Sequence, residues 1–290
     1  MDKNFQQPNR NYRLMKRTDL YFLLSILAIF LPFCLSDSLY EGYKSFNAEH
    51  GMVMSFIKFG VLSTLGEMLG CRIGSGKYLP KAFGILPRMI VWGFLGMGIN
   101  AAMIIFSKGT PALMAYMGMT DAVASFNGAA FCMDKLWVAL AVSVAMNTIF
   151  APVFMTFHKI TDTHIALHGG SLKALITPIP MAERFAQIDW GKQWGFVFKK
   201  TIPFFWYPAH TITFLLPSEQ RVLFAALLGI ALGVLLAVAT RKWGVRSEER
   251  VVYHAARLLT THYSLLTTLC KKLPPHPHLF HKKQYLCPTF

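Results

Sequence analysis

Several polar side chains stand at helical spacing inside segments that are otherwise apolar. A polar group without a partner is costly in hydrocarbon, so such residues are expected to turn inward, toward other helices. On four separate segments the small and polar residues fall on one stripe, and we expect these stripes to face one another. Groups gathered in this way at one depth line the water-filled or gated passages of channels. The candidate lining residues are Glu67, Asn100, Asn147, His210 and Thr213.

The same stripes also suit a purely structural role. Small residues let helices approach closely, and an Asn between two helices contributes about 1 kcal/mol as an interhelical hydrogen bond. On the last apolar run, Ala and Gly recur at every fourth residue, which favours pairing with another helix. A membrane scaffold or assembly protein that dimerises through this face, without transport, is therefore the first alternative. The candidate packing residues are Gly66, Gly70, Gly96, Gly98, Ala225, Gly229, Gly233 and Ala237.

A group of histidines carries the second alternative, a membrane-bound metal enzyme. His158 with Asp162, and His164 with His168, stand four residues apart, a spacing that can hold a metal on one helix face. Histidine-box enzymes need several such pairs at one membrane face, whereas the other closely spaced histidines, His276, His278 and His281, lie in a Pro-rich tail. The chain also lacks a Gly-x-Ser-x-Gly elbow and a phosphate-binding loop. We therefore predict neither an enzyme nor a bound metal or cofactor.

The elements that would position these residues are long apolar runs. Of the 290 residues, 54% are hydrophobic and 15% are charged, too apolar a composition for an ordinary soluble domain. The run 222–239 has no charge and as a helix would reach about 27 Å, close to the thickness of a bilayer's hydrocarbon core. Pro152 should kink the fourth run near Asn147 or Thr148. The prediction is an all-α, polytopic transmembrane helix bundle with six crossings, or four to five as the runner-up, and the runs are 20–35, 51–71, 85–106, 136–157, 201–216 and 222–239.

The charges predict the topology. With six crossings, the basic segments all fall on one side of the membrane, as cytoplasmic or matrix loops do. The formal net charge of +15 therefore indicates contact with anionic lipid head groups rather than with nucleic acid. We expect Lys58 to reach the interface, residues 35–50 to form a loop on the opposite side, and the membrane to be bacterial or organellar. The predicted divisions are a basic segment 1–19, a transmembrane domain 20–242 and a basic, partly amphipathic and poorly ordered tail 243–290.

Motifs in the second half of the chain resemble a known family. The letters WYPAHTIT from Trp206, a proline at 217 and RVLFA from Arg221 resemble the C-terminal signature of the Mpv-seventeen and twenty-two-kilodalton peroxisomal membrane protein family. His210 and Thr213 stand where that signature has Gln and Asn, and the spacer before Pro217 is one residue shorter. The resemblance covers roughly residues 52–241, and its remaining matches are Gly66-Glu67, Arg88 with Gly96-Met-Gly98, Ala151-Pro152 and Pro208.

The resemblance implies a function as well as a fold. Members of that family are described as weakly selective pores for small solutes in peroxisomal and mitochondrial inner membranes. By this resemblance the protein is expected to form a channel-like passage for an unidentified small solute, either alone or as a homo-oligomer. In that hypothesis Glu67 sets a cation preference or gates by protonation, and His210 shapes a pH-sensitive constriction.

Overall fold

The computed structural model describes residues 16–128 and 130–243, with side chains described up to residue 231. Three features predicted from the sequence lie outside this part. They are the basic residues at positions 1–15, the predicted tail after Trp243, and the side-chain environments of Gly233 and Ala237.

The described part of the chain is entirely helical and contains no strand. Its long helices are α1 Arg17–Leu35, α2 Asp37–Glu49, α3 Gly51–Ser75, α4 Ile85–Tyr116, α6 Met133–Ile149 and α7 Ala151–Leu167, with a short α5 at Ala122–Asn127. Beyond α7 come α8 Lys173–Ile176, α9 Met181–Ala186, α10 Trp190–Lys192, a π-helix Gln193–Trp206, α11 Tyr207–Leu215 and α12 Ser218–Trp243.

Among the residues that the structure describes, three helices, α1, α3 and α4, are long and apolar enough to cross a membrane. The pair α6 and α7 passes the same test jointly and makes a fourth crossing if it counts as one span. The predicted all-helical class is therefore confirmed, with three or four helices that are candidates to span a membrane.

The pair α6 and α7 bends by 45° at Phe150. Pro152, the second residue of α7, has no backbone N–H and cannot continue the hydrogen-bond ladder of α6. The predicted kink is confirmed, slightly later in the chain than expected. Because of the bend, α7 leaves the direction of α6 and runs toward the start of α4.

Helix α3 lies at the centre, against α4 on one side and α12 on another. A Cβ added at Gly96 would lie 2.4 Å from the Cβ of Phe59, and one at Gly66 would lie 2.9 Å from Ile230. The helices therefore approach as closely as small residues allow. Large apolar side chains fill the remaining space, among them Phe59, Leu62, Ile99, Met103, Val138, Val142, Met146 and Phe214.

Two expectations about irregular segments are wrong. Residues 37–49 form helix α2 and not a loop, because the Ser36 side chain caps the helix by accepting a hydrogen bond from the Leu39 amide at 3.3 Å. Helix α4 continues ten residues past the predicted end of its run, Phe106, and passes through Gly109 and Pro111 without ending. Both segments add helix outside the predicted spans.

Lys58 has partners that the sequence did not predict. Its side chain is buried, with 6% of the residue exposed. The ammonium donates a hydrogen bond to Asn47 Oδ1 and lies 5.2 Å from the centre of the Tyr43 ring. Helix α2 folds back against α3 and supplies both partners, which the spacing of Lys58 along α3 alone does not reveal.

Candidate functional site

Glu67, on α3, is the centre of a group of polar contacts that joins three helices. Arg88 of α4 donates from Nη1 to Glu67 Oε2 at 2.5 Å, and Trp92 of α4 donates from Nε1 to Oε1 at 2.9 Å. His158 of α7 lies with Nε2 at 3.1 Å from the same Oε1. Each oxygen of this carboxylate therefore has at least one partner from another helix.

Arg88 is held by a second carboxylate. The nitrogen Nη1 also forms an ion pair with Asp162 of α7, one turn after His158. Nε donates to the backbone carbonyl of Phe83 at 2.6 Å, and the guanidinium lies 4.6 Å from the centre of the Phe83 ring. We call Glu67, Arg88, Trp92, His158 and Asp162 the core cluster.

The core cluster carries unequal charges. It holds two carboxylates and one guanidinium, so it has an excess negative charge unless His158 is protonated. The charged side chains are shielded, with exposed fractions of 11% for Arg88, 20% for Glu67 and 26% for Asp162. Since the interior screens charges weakly, removal of one member leaves its partners poorly compensated.

A cleft opens beside the core cluster. It has about 160 Å³ of empty volume and offers enclosed room for roughly one water molecule. In the described part, the backbones of α3 and α7 do not pack closely, and Glu67 reaches across to His158 between them. The lining residues are Arg88, Val91, Trp92, His158, Thr161, Asp162 and Ile165.

A pair of glycines fixes the start of α4 against the end of α7. Gly84 and Gly170 both have positive φ, +67° and +73°, which favours glycine. A Cβ on Gly84 would lie 2.6 Å from the Gly170 carbonyl oxygen, and one on Gly170 would lie 2.6 Å from the Gly84 nitrogen. The residue before α4 therefore touches the turn after α7. This contact holds α4, which carries Arg88, close to α7, which carries Asp162.

A second ion pair lies farther along α3, toward its C-terminal end. Arg72 donates from Nε and Nη2 to the two carboxylate oxygens of Asp19 on α1, both at 2.6 Å. Phe22 stacks on Tyr78 with ring centroids 4.4 Å apart. Burial raises the pKa of the Tyr78 hydroxyl, and its hydrogen bond to Asp19 raises it further. We call Asp19, Phe22, Arg72 and Tyr78 the peripheral cluster.

The structure does not bring all the candidate lining residues together. Asn100 Nδ2 lies 3.4 Å from the carbonyl of Gly51, at the start of α3. Glu67 is sixteen residues farther along α3, about 24 Å by helical rise. Asn147 is buried and donates to the Ser143 carbonyl of its own helix at 2.8 Å. Glu67 and Asn100 therefore lie at different depths of the bundle.

His210 and Thr213 are on α11, which packs against α6. His210 stacks on Trp206 with ring centroids 5.1 Å apart. Thr213 is fully buried and donates to the Ala209 carbonyl at 3.0 Å. Ser143 of α6 donates to the Tyr207 carbonyl at 2.7 Å, so the stretch of α6 before Asn147 contacts the first turn of α11.

The residues of the resemblance have structural positions that explain their types. Arg221 donates from Nε to the Leu216 carbonyl at 3.0 Å and from Nη2 to the Phe214 carbonyl at 3.2 Å. It thereby caps the free carbonyls at the end of α11. Arg88 belongs to the core cluster, and the others mark helix boundaries: Ala151 and Pro152 begin α7, Trp206 ends the π-helix, Pro208 begins α11 and Pro217 precedes α12.

The packing candidates divide into two groups. Gly66 and Gly96 stand at close helix contacts, and Ala225 is buried. Gly70 is half-buried. At Gly98 and Gly229 an added Cβ would meet nothing within 4 Å, so these two glycines face open space.

Sequence reasoning missed the partners of Glu67. The spacing of His158 and Asp162 placed both on one face of α7, and we interpreted that face as a possible metal site. In the structure it turns to Glu67 and Arg88 instead. Within residues 16–128 and 130–243, no three His, Cys, Asp or Glu side chains are grouped so that they could hold a metal ion.

Comparison of the chain with known protein families, with curated proteins and with solved structures finds no match in any of the three.

Proposed function

We propose that this chain is a multi-pass membrane protein that forms a channel-like passage for small solutes and that the core cluster holds this passage closed. The proposal retains the six crossings and the kinship with the peroxisomal and mitochondrial family that the motifs resemble. The fifth crossing consists of the π-helix with α11, and the sixth is α12. The basic segments then lie on one side, against anionic head groups.

The observation that supports this proposal is Arg88, held by carboxylates from two different helices. Ionisable groups inside membrane helices are costly and commonly belong to solute or ion pathways. Here they join α3 and α7, whose backbones do not pack closely. When those helices part, water replaces the ion pairs, and a route opens beside the cleft.

The Glu67→Gln variant tests the proposal. The substitution removes the charge that pairs with Arg88 but retains an acceptor for the Trp92 indole, so it weakens the closed state without emptying the site. In planar bilayers with purified protein, we expect wild type to conduct rarely and Glu67→Gln to have an open probability at least about tenfold higher, equivalent to a loss of 1.4 kcal/mol.

Arg72→Gln is the matched control, because it breaks an ion pair on the same helix that does not join α3 to α7. It should conduct as wild type does. Size-exclusion profiles in detergent verify that the three proteins are equally folded. If neither wild type nor Glu67→Gln conducts above the lipid background, the passage is ruled out.

A non-transporting scaffold is the second candidate. Two observations favour it: the packed apolar centre of the bundle, and Gly229, which presents a small outward surface on α12. A scaffold of this kind dimerises through α12, so Gly229→Leu should abolish a cross-linkable dimer. Gly98→Leu, which also starts from open space but on α4, should leave the dimer intact.

A further inference from the structure

Trp206 and His210 form a stacked pair at an unusual point of the backbone. Trp206 is the last residue of the π-helix, and His210 follows four residues later, in α11. The two rings lie 5.1 Å apart at an angle of 28°. π-Helix is rare and occurs mostly as single turns, whereas this π-helix is fourteen residues long.

Each ring of this pair has a buried nitrogen without a hydrogen-bond partner in the described part of the chain. These are Trp206 Nε1 and His210 Nδ1, and His210 is only 6% exposed. The hydroxyls of Thr211 and Ser143 both donate their protons to the Tyr207 carbonyl, and neither hydroxyl is a partner of the two ring nitrogens. Buried polar atoms are almost always satisfied, so the pair requires a partner from outside the described residues.

The chemistry of the two nitrogens specifies that partner. The indole N–H can only donate, and Nδ1 of a neutral imidazole accepts when Nε2 carries the proton. We propose that this pair binds one hydroxyl group, whose oxygen accepts from Trp206 and whose hydrogen is donated to His210. The hydroxyl belongs to water or to a small polyol, and both supply the same donor and acceptor on one oxygen.

This site is separate from the core cluster and does not depend on conduction. It lies where α11 packs on α6, whereas the core cluster joins α3, α4 and α7. A protein that proves to be a scaffold could still bind the hydroxyl, and a channel could lack it.

The Trp206 indole proton gives a direct readout. In full-length protein labelled with ¹⁵N-tryptophan, its resonance is assigned by its loss in Trp206→Phe. We expect a cross-peak from this proton to bound water or to glycerol. His210→Phe should remove the cross-peak, and His210→Asn, which returns an acceptor near the position of Nδ1, should restore it. A wild-type indole proton with no cross-peak to either molecule overturns the proposal.

Titration with glycerol distinguishes the two sources. A saturable shift of the indole resonance, absent from His210→Phe, identifies the polyol hydroxyl. A constant resonance with a persistent cross-peak to water identifies water.

Thermal unfolding in detergent gives a second measurement. If the hydroxyl is bound, His210→Phe loses a bridging hydrogen bond, and Tm falls by about 2–4 °C. If nothing is bound, the substitution removes an unsatisfied nitrogen and keeps the stacked ring, so Tm rises. A rise in Tm contradicts the proposal.

Discussion

The core cluster and the peripheral cluster are two arginine–carboxylate sites on one helix with different consequences. Glu67 and Arg72 stand five residues apart on α3, about 7.5 Å along its axis. The peripheral pair has the better geometry, with two parallel contacts of 2.6 Å. The core pair divides one guanidinium between two carboxylates and adds a histidine and a tryptophan.

The difference lies in what each cluster joins. The peripheral cluster attaches α1, a helix without a single buried residue, to the end of α3. The core cluster joins α3, α4 and α7, so a broken contact leaves uncompensated charge among three helices. The carboxylates of the two pairs are equally shielded, with 20% of Asp19 and 20% of Glu67 exposed. Neither contact geometry nor side-chain exposure therefore determines the importance of these ion pairs; the number of helices joined does.

Replacement of each arginine by glutamine tests this comparison most strongly. Arg88→Gln leaves Glu67 and Asp162 shielded without their cation, and we expect a loss of about 3–5 kcal/mol in the free energy of unfolding. Arg72→Gln should have a smaller effect, because it frees only α1, a helix that has no buried residue. Chemical denaturation in detergent, followed by circular dichroism, measures both. Equal losses would show that the number of helices joined does not separate the two clusters.

Substitution of neighbouring glycines tests whether the core cluster depends on the joint between α4 and α7. Gly170→Ala should lower the free energy of unfolding by more than the roughly 1–2 kcal/mol that a residue with a Cβ costs in a left-handed conformation. The additional loss arises because the new Cβ overlaps the Gly84 backbone. Gly169→Ala is the matched control, with φ +65° and open space around it. Similar melting temperatures for the two variants would mean that the contact between glycines is dispensable.

The smallest expected effect concerns alkaline pH at the peripheral cluster. Because the pKa of Tyr78 is raised in the folded state, its neutral form contributes stability that is complete below the ordinary tyrosine pKa of about 10. This contribution is lost as pH rises through the higher, folded pKa. The stability of Tyr78→Phe should therefore fall less steeply above pH 10 than that of wild type, as Tm measured across the range will show. Parallel curves of Tm against pH for the two proteins would show that Tyr78 does not contribute to the loss of stability above pH 10.

Several features of this fold could be read from the sequence because they depend on neighbouring residues. Long apolar runs predicted the membrane-type helices α3 and α4, and Pro152 predicted the bend after α6. Helical spacing also placed Glu67 on an inward stripe. Local rules were less reliable at helix ends, where Ser36 capped an unexpected helix and the run beyond Phe106 stayed helical.

The sequence by itself determined which side chains must leave the lipid, since hydrocarbon offers them no partner whatever the fold. Only the tertiary structure decided which of them meet. Glu67 contacts Arg88, Trp92 and His158, which are 21 to 91 residues away in the chain. Asn100, on a similar stripe, lies at another depth of the bundle. A stripe gives the direction of a side chain about one helix axis. The depth and rotation of the facing helix, which decide the partner, come from packing contacts far apart in the chain.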